Sequence, residues 1–332
     1  MSEFRKDPIT GRWVIIAAER AQRPRQLSAL SNSSDEEPCP FCAGHEAMTP
    51  PEVWASRPQN TPADTPGWRV RVVPNKYPAL EKSAKWQASN DRFYQSRHGL
   101  GVHEVIVECP DHVVNMADLS EAQFTDILSA YRARLSALRS ERRWRYLLIY
   151  KNHGDRAGAT LEHLHSQLVA LPSVPKEALD EIDGAKAHFA TTGRCIYCEM
   201  IEREIAQRER LVFDHDKFVA LCPFAPRFAY ETWILPKTHR AIFENSSEQE
   251  TSQFARALRE TITRLNHALD NPPFNYFIHS LPADDGTEDH YHWHLEILPQ
   301  LSRAAGFEWG SGSHMTSVAP EAAARLLRDL VW

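Results

Sequence analysis

No stretch of this 332-residue chain approaches the ~18 consecutive apolar residues that a membrane-spanning helix needs. Its first residues, MSEFRKDPIT, lack the apolar core of a secretory signal. Runs of like charge are missing too: 38 basic residues stand against 44 acidic ones, a net charge of −6, and no lysine- or arginine-rich stripe stands out. A nucleic-acid binder needs such a stripe to neutralise phosphates, and a peripheral membrane protein needs a similar patch, so both classes are disfavoured. What remains is an ordinary water-soluble composition, 42% hydrophobic and 25% charged, with a cytoplasmic location expected. One core seldom serves a chain of this length, so two domains or a duplicated fold are expected.

Cysteine is also scarce. There are six, and in a reducing compartment disulfides are not expected among them. Four fall into two C-x-x-C pairs, CPFC at Cys39 and Cys42 and CIYC at Cys195 and Cys198. One pair alone would suit a redox dithiol. Two pairs in a chain with 16 histidines point to metal.

The chain repeats itself. NKYPAL begins at Asn75 and DKFVAL at Asp216; HEVIVECPDH ends at His112 and YETWILPKTH at His239. Each of the second pair carries a glutamate eight residues before its final histidine and is followed, eight residues on, by Ser120 or Ser247. These serines open SEAQ and SEQE, capping-box spacings that predict helix starts. Apolar stripes at helical period follow: Phe124, Ile127, Leu128, Tyr131, Leu135 and Leu138, then Phe254, Leu258, Ile262, Leu265 and Leu269. After each comes a strand-like run, RYLLIY or FNYFIH, and then HLHSQ from His163 or HWHLE from His292. Five matched segments in one order predict a duplicated α+β unit, mainly antiparallel with one long helix, occupying residues 1–186 and again 187–332. SALSNSSDEEP and NTPADTPG read as loops.

Two cysteines, a later histidine and the first histidine of H-x-H recur in each half. Thiolate plus imidazole is the set that zinc prefers, and four such ligands close a tetrahedral structural site. The spacing predicts two zinc ions per chain, one on Cys39, Cys42, His112 and His163, the other on Cys195, Cys198, His239 and His292. His45, three residues past Cys42, is a rival ligand.

With His163 on metal, His165 becomes the working imidazole of LEHLHSQLVA, where alternation puts His163, His165 and Gln167 on one strand face. A fixed neutral imidazole attacks phosphorus to give a phosphoramidate, and the Gln167 amide can donate to a phosphoryl oxygen as charge builds. Upstream, KNHGDRAGAT supplies Gly154, Gly158 and Thr160, small residues past which backbone N–H groups can approach a phosphate. The second half has Glu296 where Gln167 stands; an ionised carboxylate repels phosphate and cannot donate. Catalysis is therefore expected in the first half. Trp293 and Trp309 are expected to pack rather than to stack on a ligand.

With these motifs identified, the chain resembles the galactose-1-phosphate uridylyltransferase family of the histidine-triad superfamily over nearly its whole length. DPITGRWVIIAAERAQRP is similar to the family's N-terminal motif, CPFC to its zinc pair, PDH to its third ligand and HLHSQ to its H-P-H-x-Q centre. The resemblance implies tandem histidine-triad-like domains in a homodimer working by ping-pong. His165 would take a nucleoside monophosphate, UMP or AMP, from a nucleotide sugar and pass it to a sugar 1-phosphate. By motif, Arg20 and Arg23 would approach the donor's phosphates and Asn75 with Lys76 its nucleoside; Asn152 and Gly158-Ala159-Thr160 would flank the phosphates.

Two departures stand out. Leu164 replaces the motif's middle proline, which implies a looser active strand, with Leu164→Pro expected to preserve or raise activity. The C-terminal LPQLSRAAGFEWGSG segment and the second C-x-x-C look more like the ADP-glucose phosphorylase branch, which can use inorganic phosphate. Galactose-type members instead carry a second metal on one Glu and three His, a set that Glu181, His279, His292 and His294 could mimic. A histidine-triad hydrolase is a further alternative, but such hydrolases carry a titratable histidine where this chain has Gln167.

Overall fold

The structure, a computed structural model, describes residues 2–22, 38–283 and 287–330. Arg23 and nearly all of SALSNSSDEEP lie outside these residues, while NTPADTPG forms turns as expected. The first half contains strands β1 (Glu3–Lys6), β2 (Trp13–Ile16), β3 (Trp54–Ser56), β4 (Val70–Pro74), β5 (Ser96–His98) and β6 (Val102–Val107), then helix α1 (Glu121–Arg139), β7 (Tyr146–His153) and β8 (His165–Leu171). Helices α2 (Lys176–Thr192) and α3 (Ile196–Gln207) lead into β9 (Leu211–Asp214), β10 (Phe218–Leu221), β11 (Thr232–Pro236), α4 (Glu248–Leu269), β12 (Phe274–His279) and β13 (His294–Pro299). Two short helices close the chain, α5 (Gly306–Ser311) and α6 (Pro320–Asp329).

Ten strands form one sheet in the order β3-β4-β6-β8-β7-β12-β13-β11-β10-β9, and β2-β1-β5 form a small separate sheet. All the pairings between these strands are antiparallel. The large sheet is two five-stranded halves joined where β7 meets β12, with Ile149 directly opposite Ile278. Those two isoleucines hold the same place in RYLLIY and FNYFIH, so an approximate twofold axis passes between them. The duplicated α+β architecture read from sequence is the one observed.

Both predicted capping boxes are present: Ser120 accepts from the Gln123 N–H and Ser247 from the Glu250 N–H, while the Gln123 and Glu250 side chains bond back to the serine N–H. Such caps satisfy N–H groups that a helix start leaves unpaired. The stripe on α1 is buried throughout, and on α4 only Leu269 is partly exposed. Both helices cover one face of the sheet, sharing a core with Ile106, Leu168, Ile149, Ile278, Leu295 and Ile297. At about 1.5–3 kcal/mol per fully buried large aliphatic or aromatic side chain, that core dominates the fold's stability.

The opposite face differs between the halves. In the second half, Ile182 and Ala185 of α2 and Tyr197 and Ile201 of α3 pack over Val219, Leu221 and Leu235. In the first half, this face carries the small cluster of Trp68, Val73, Val105 and Val107, with the side chains described below beside it. The join expected at residues 186 and 187 lies inside α2, so the chain crosses between halves as a helix, which ends at Gly193 in the left-handed region (φ 69°). No helix among the described residues is long and apolar enough to cross a membrane.

Candidate functional site

Each half gathers its four repeated ligands. The side-chain donor atoms of Cys39, Cys42, His112 and His163 all lie within 4.8 Å of one another, as do those of Cys195, Cys198, His239 and His292. Cys42 Sγ is 3.5 Å from His112 Nδ1 and 3.6 Å from His163 Nδ1; Cys198 Sγ is 3.3 Å from His239 Nδ1 and 3.6 Å from His292 Nδ1. A tetrahedron with ligands at roughly 2.0–2.3 Å from its centre has edges of about 3.3–3.8 Å, so both clusters fit a metal of zinc's size. The outer bonds repeat as well. His163 Nε2 donates to the Cys109 carbonyl (2.9 Å) and His292 Nε2 to the Pro236 carbonyl (2.8 Å), which leaves Nδ1 of each as the ligating atom.

His45, the rival ligand, is not in the first cluster; its Nδ1 donates to the Cys39 carbonyl (2.7 Å) and ties down the C-x-x-C turn. Burial pushes the His163 imidazole down to about 4, so at neutral pH it is the unprotonated form a metal requires. In the second cluster, hydrogen bonds from Cys198, and also from His239 and His292, draw the Cys195 thiol well below its ordinary value.

Register brings the catalytic candidates onto the uncovered face. In β8, Gln167 sits opposite Val105 of β6 and Tyr150 of β7, and His165 opposite Val107. His165 Nδ1 donates to the His163 carbonyl (2.8 Å). A carbonyl only accepts, so the neutral ring carries its lone pair on Nε2. Gln167 Oε1 accepts from the Tyr150 hydroxyl (3.0 Å) and lies 2.9 Å from His103 Nε2. Both His165 and Gln167 line a cleft together with Asn75, Lys76, Tyr77 and Thr160. Its far wall includes Pro40 and Phe41, the two residues inside the first C-x-x-C, and the Phe41 ring lies 5.2 Å from that of His165. The C-x-x-C loop is thus also a wall of the cleft.

The remaining predicted contacts are arranged differently. Arg20 is half-buried, with Nη1 3.4 Å from His103 Nδ1. Asn152 does not line the cleft as described; its Oδ1 accepts from Asn275 Nδ2 (2.8 Å), a bond that crosses from β12 and turns the Asn152 amide N–H₂ the other way. The N–H groups of Ala157, Gly158 and Ala159 bond to the carbonyls of Gly154, Asp155 and Gly154, closing a 3-10 turn instead of remaining open to a phosphate. Gly158 takes φ +87°, a conformation that disfavours any side chain.

Leu164 corrects an expectation. It is buried in the main core, its N–H donates to the Val113 carbonyl (3.1 Å), and its carbonyl accepts from the Glu108 N–H (3.1 Å). Leucine therefore pins the strand rather than loosening it, and proline would remove both the side-chain packing and the N–H bond. Trp293 packs in the core as expected, but Trp309 is 80% exposed, on a six-residue helix that buries nothing.

Sequence reasoning also missed what stands behind the active strand. Lys151 Nζ donates to Glu108 Oε2 (2.5 Å) and to the His165 carbonyl (3.0 Å), and Tyr131, from α1, bonds to Glu108, Ser166 and Tyr276. Lys151 and Glu108 are each 1% exposed, so this pair fixes the backbone at His165 from inside the sheet. A lysine following the apolar run YLLIY and a glutamate directly following VIV were the available signals.

The mirror position in the second half is closed. His294 Nδ1 donates to the His292 carbonyl (3.1 Å), the counterpart of the His165 bond, but the ring is fully buried between Trp233, Tyr197 and His279. Glu181, His279 and His294 bring donor atoms within 4.8 Å of one another, a third group that could hold a metal ion; His292 is not part of it, having joined the cysteines. Burial alone would raise the carboxyl of Glu296, but His279, His294 and Arg227 hold it down to about 2, and Arg227 also pairs with Glu231. Glu296 is thus spent on an ion network.

The model of the galactose-1-phosphate uridyl transferase N-terminal domain matches residues 1–175, and that of its C-terminal domain matches residues 181–330. ADP-glucose phosphorylase of Arabidopsis thaliana is 35% identical, the match covering 99% of this chain and 93% of the relative. Galactose-1-phosphate uridylyltransferase of Thermotoga maritima is 28% identical over 99% and 98%. Among solved structures, an Arabidopsis thaliana ADP-glucose phosphorylase with bound ADP-glucose superposes with a TM-score of 0.79 at 34% identity, covering 100% of both chains. A uridylyltransferase superposes at 0.81 with 28% identity, covering 98% and 97%.

Proposed function

The chain belongs to the galactose-1-phosphate uridyl transferase family, nucleotidyl-transferring enzymes, and from that premise we propose that His165 is the nucleophile which carries the nucleotidyl group between two phosphate partners. His165 Nε2 attacks the α-phosphorus of a nucleotide sugar; an N–P bond forms, the P–O bond to the β-phosphate breaks, and the sugar 1-phosphate leaves with the bonding electrons. The leaving phosphate is a weak base and needs no proton, which suits Gln167, a residue that cannot titrate. As positive charge grows on the ring, Nδ1–H is already donated to the His163 carbonyl. In the second half-reaction an acceptor phosphate oxygen attacks, and the N–P electrons return to Nε2. The observation carrying this reading is the fixed tautomer of His165 on a cleft it shares with Gln167.

Asn75, Lys76 and Thr160 contact the donor from the cleft wall, and Arg20 approaches its phosphates. Zinc in each Cys/His cluster, two per chain, would cross-link turn and sheet and would serve folding rather than chemistry. The cytoplasmic homodimer implied by the family is checked by light scattering. For the donor and acceptor, the first half-reaction with UDP-glucose and with ADP-glucose should be followed by discharge of the adduct with galactose 1-phosphate, glucose 1-phosphate or inorganic phosphate. ADP-glucose with phosphate is the second reading, favoured by the 35% identity to ADP-glucose phosphorylase. Discharge by water as fast as by these acceptors would replace the transferase with a hydrolase.

A further inference from the structure

Gln167 works as a donor only if its N–H₂ end faces the cleft, and an amide can sit either way round. We infer that His103 of β6 is the positioning residue that sets this polarity. The chain of bonds begins at a group whose role is fixed. The backbone N–H of Ala79 points at His103 Nδ1 (3.1 Å), and a backbone N–H can only donate, so Nδ1 carries the lone pair. The neutral ring then has its hydrogen on Nε2, which lies 2.9 Å from Gln167 Oε1 and 3.2 Å from Asn75 Nδ2; of these two neighbours only the oxygen accepts, so the hydrogen goes to Gln167. With the amide reversed, two donors would face each other at that distance. The Tyr150 hydroxyl gives Oε1 its second donor, so the carbonyl end of Gln167 is held and its N–H₂ is turned away.

Burial makes the arrangement costly to disturb, since His103 is 5% exposed and Gln167 3%. Arg20 Nη1, 3.4 Å from Nδ1, puts a second donor on the same side of the ring. The same strand residue also reaches the cleft wall: its carbonyl accepts from the Asn75 N–H (2.9 Å), and Asn75 Oδ1 accepts from the Tyr77 N–H (2.8 Å). One residue therefore connects the loop that lines the cleft, through its carbonyl, to the amide that faces the reaction, through its ring. His103 is not among the residues that line the cleft, so its influence on the reaction runs through neighbours, Gln167 first among them.

This inference rests on the donor role proposed for Gln167, and the test separates the two. The rate of single-turnover labelling is measured with α-³²P-labelled ADP-glucose or UDP-glucose, whichever labels the parent chain. His103→Leu should slow labelling by about a hundredfold, the typical effect of losing one such donor. The donor concentration giving half-maximal rate should move by less than about threefold. In a Gln167→Ala background, the same change should add less than about twofold, because residues acting as one unit are not additive. An isosteric pair tests the polarity without a cavity. His103→Gln can accept from Ala79 and donate to Gln167, and should stay within about tenfold of the parent. His103→Glu only accepts, turns the amide around, and should be as slow as His103→Leu. Multiplying effects in the double variant, or equal rates for the Gln and Glu variants, would overturn the inference. Gln167→Ala labelling at the parental rate would overturn the donor role itself, and the inference with it.

Discussion

The two halves of this protein share a Cys/His cluster that could hold a metal, a capped helix and an H-x-H strand, yet among the described residues only the first presents a cleft beside that strand. The bonds around His165 and His294 are the same: each Nδ1 donates to the carbonyl two residues back, and each neighbouring histidine ligand donates outward to a backbone carbonyl. The difference lies in what covers them and in what stands two residues on. Over His294 lie α2 and α3, whose Tyr197 packs on its ring, and Glu296 is consumed by His279, His294 and Arg227. Over His165 the C-x-x-C turn leaves a cleft, and Gln167 stands there with its carbonyl held. Both copies have the same frame; in the proposed function, chemistry falls to the copy that is uncovered and furnished with a neutral donor.

The largest predicted contrast is between the two histidines. His165→Asn should lower turnover by at least about 10⁴-fold, the order expected on losing a nucleophile, whereas His294→Asn should stay within about tenfold per folded molecule. Steady-state kinetics on both variants would break the comparison if the losses were similar.

Metal removal should divide the halves next. Elemental analysis should find about two zinc ions per chain, and chelation should unfold the protein. Replacing Cys195 and Cys198 by serine should lower the thermal midpoint while sparing turnover of the molecules that remain folded. The same change at Cys39 and Cys42 should reduce both, because Pro40 and Phe41 wall the cleft. Equal loss of turnover from the two pairs would show that the clusters are not divided in this way.

Leu164→Pro is a smaller but sharper test. Loss of a buried side chain and of the N–H bond to Val113 should cost about 2–4 kcal/mol, read by denaturant unfolding. Unchanged stability would mean that the strand tolerates proline after all.

The smallest expected effect concerns His153, at the seam between the halves. Stacked on Phe274 with ring centroids 4.6 Å apart, it has its imidazole pushed down to about 4 by burial, against an ordinary 6.5. The unfolded chain therefore takes the proton first as pH falls. Stability from this group is complete above about 6.5 and declines until the folded group titrates near 4. Unfolding followed across that window should show a shallower decline for His153→Phe than for the parent.

Much of this was legible in sequence because it is local or repeated. Ser120 and Ser247 announce their helices through residues three places on, and the Cys/His sets recur in matching order in both halves. Partners set by strand register were not legible. His103 meets Gln167 across 64 residues, and Lys151 meets Glu108 across 43, distances along the chain at which no spacing rule operates. Leu164 was misjudged because a motif shows which residue is unusual and not what it packs against. The covering of the second half by α2 and α3 has no counterpart in the repeat, so nothing in the repeated pattern indicated which copy would be closed. The turn at Gly158 likewise hid that its N–H groups bond within the turn.

The most direct test is to find where the nucleotidyl group rests. The parent chain is incubated with labelled nucleotide sugar and no acceptor, quenched in base to protect a phosphoramidate, digested and mapped by mass spectrometry. The account predicts about one nucleoside monophosphate per chain, carried on His165, lost in acid and discharged by a sugar 1-phosphate or phosphate. An adduct on His294, or stoichiometric labelling that persists in His165→Asn, would contradict it.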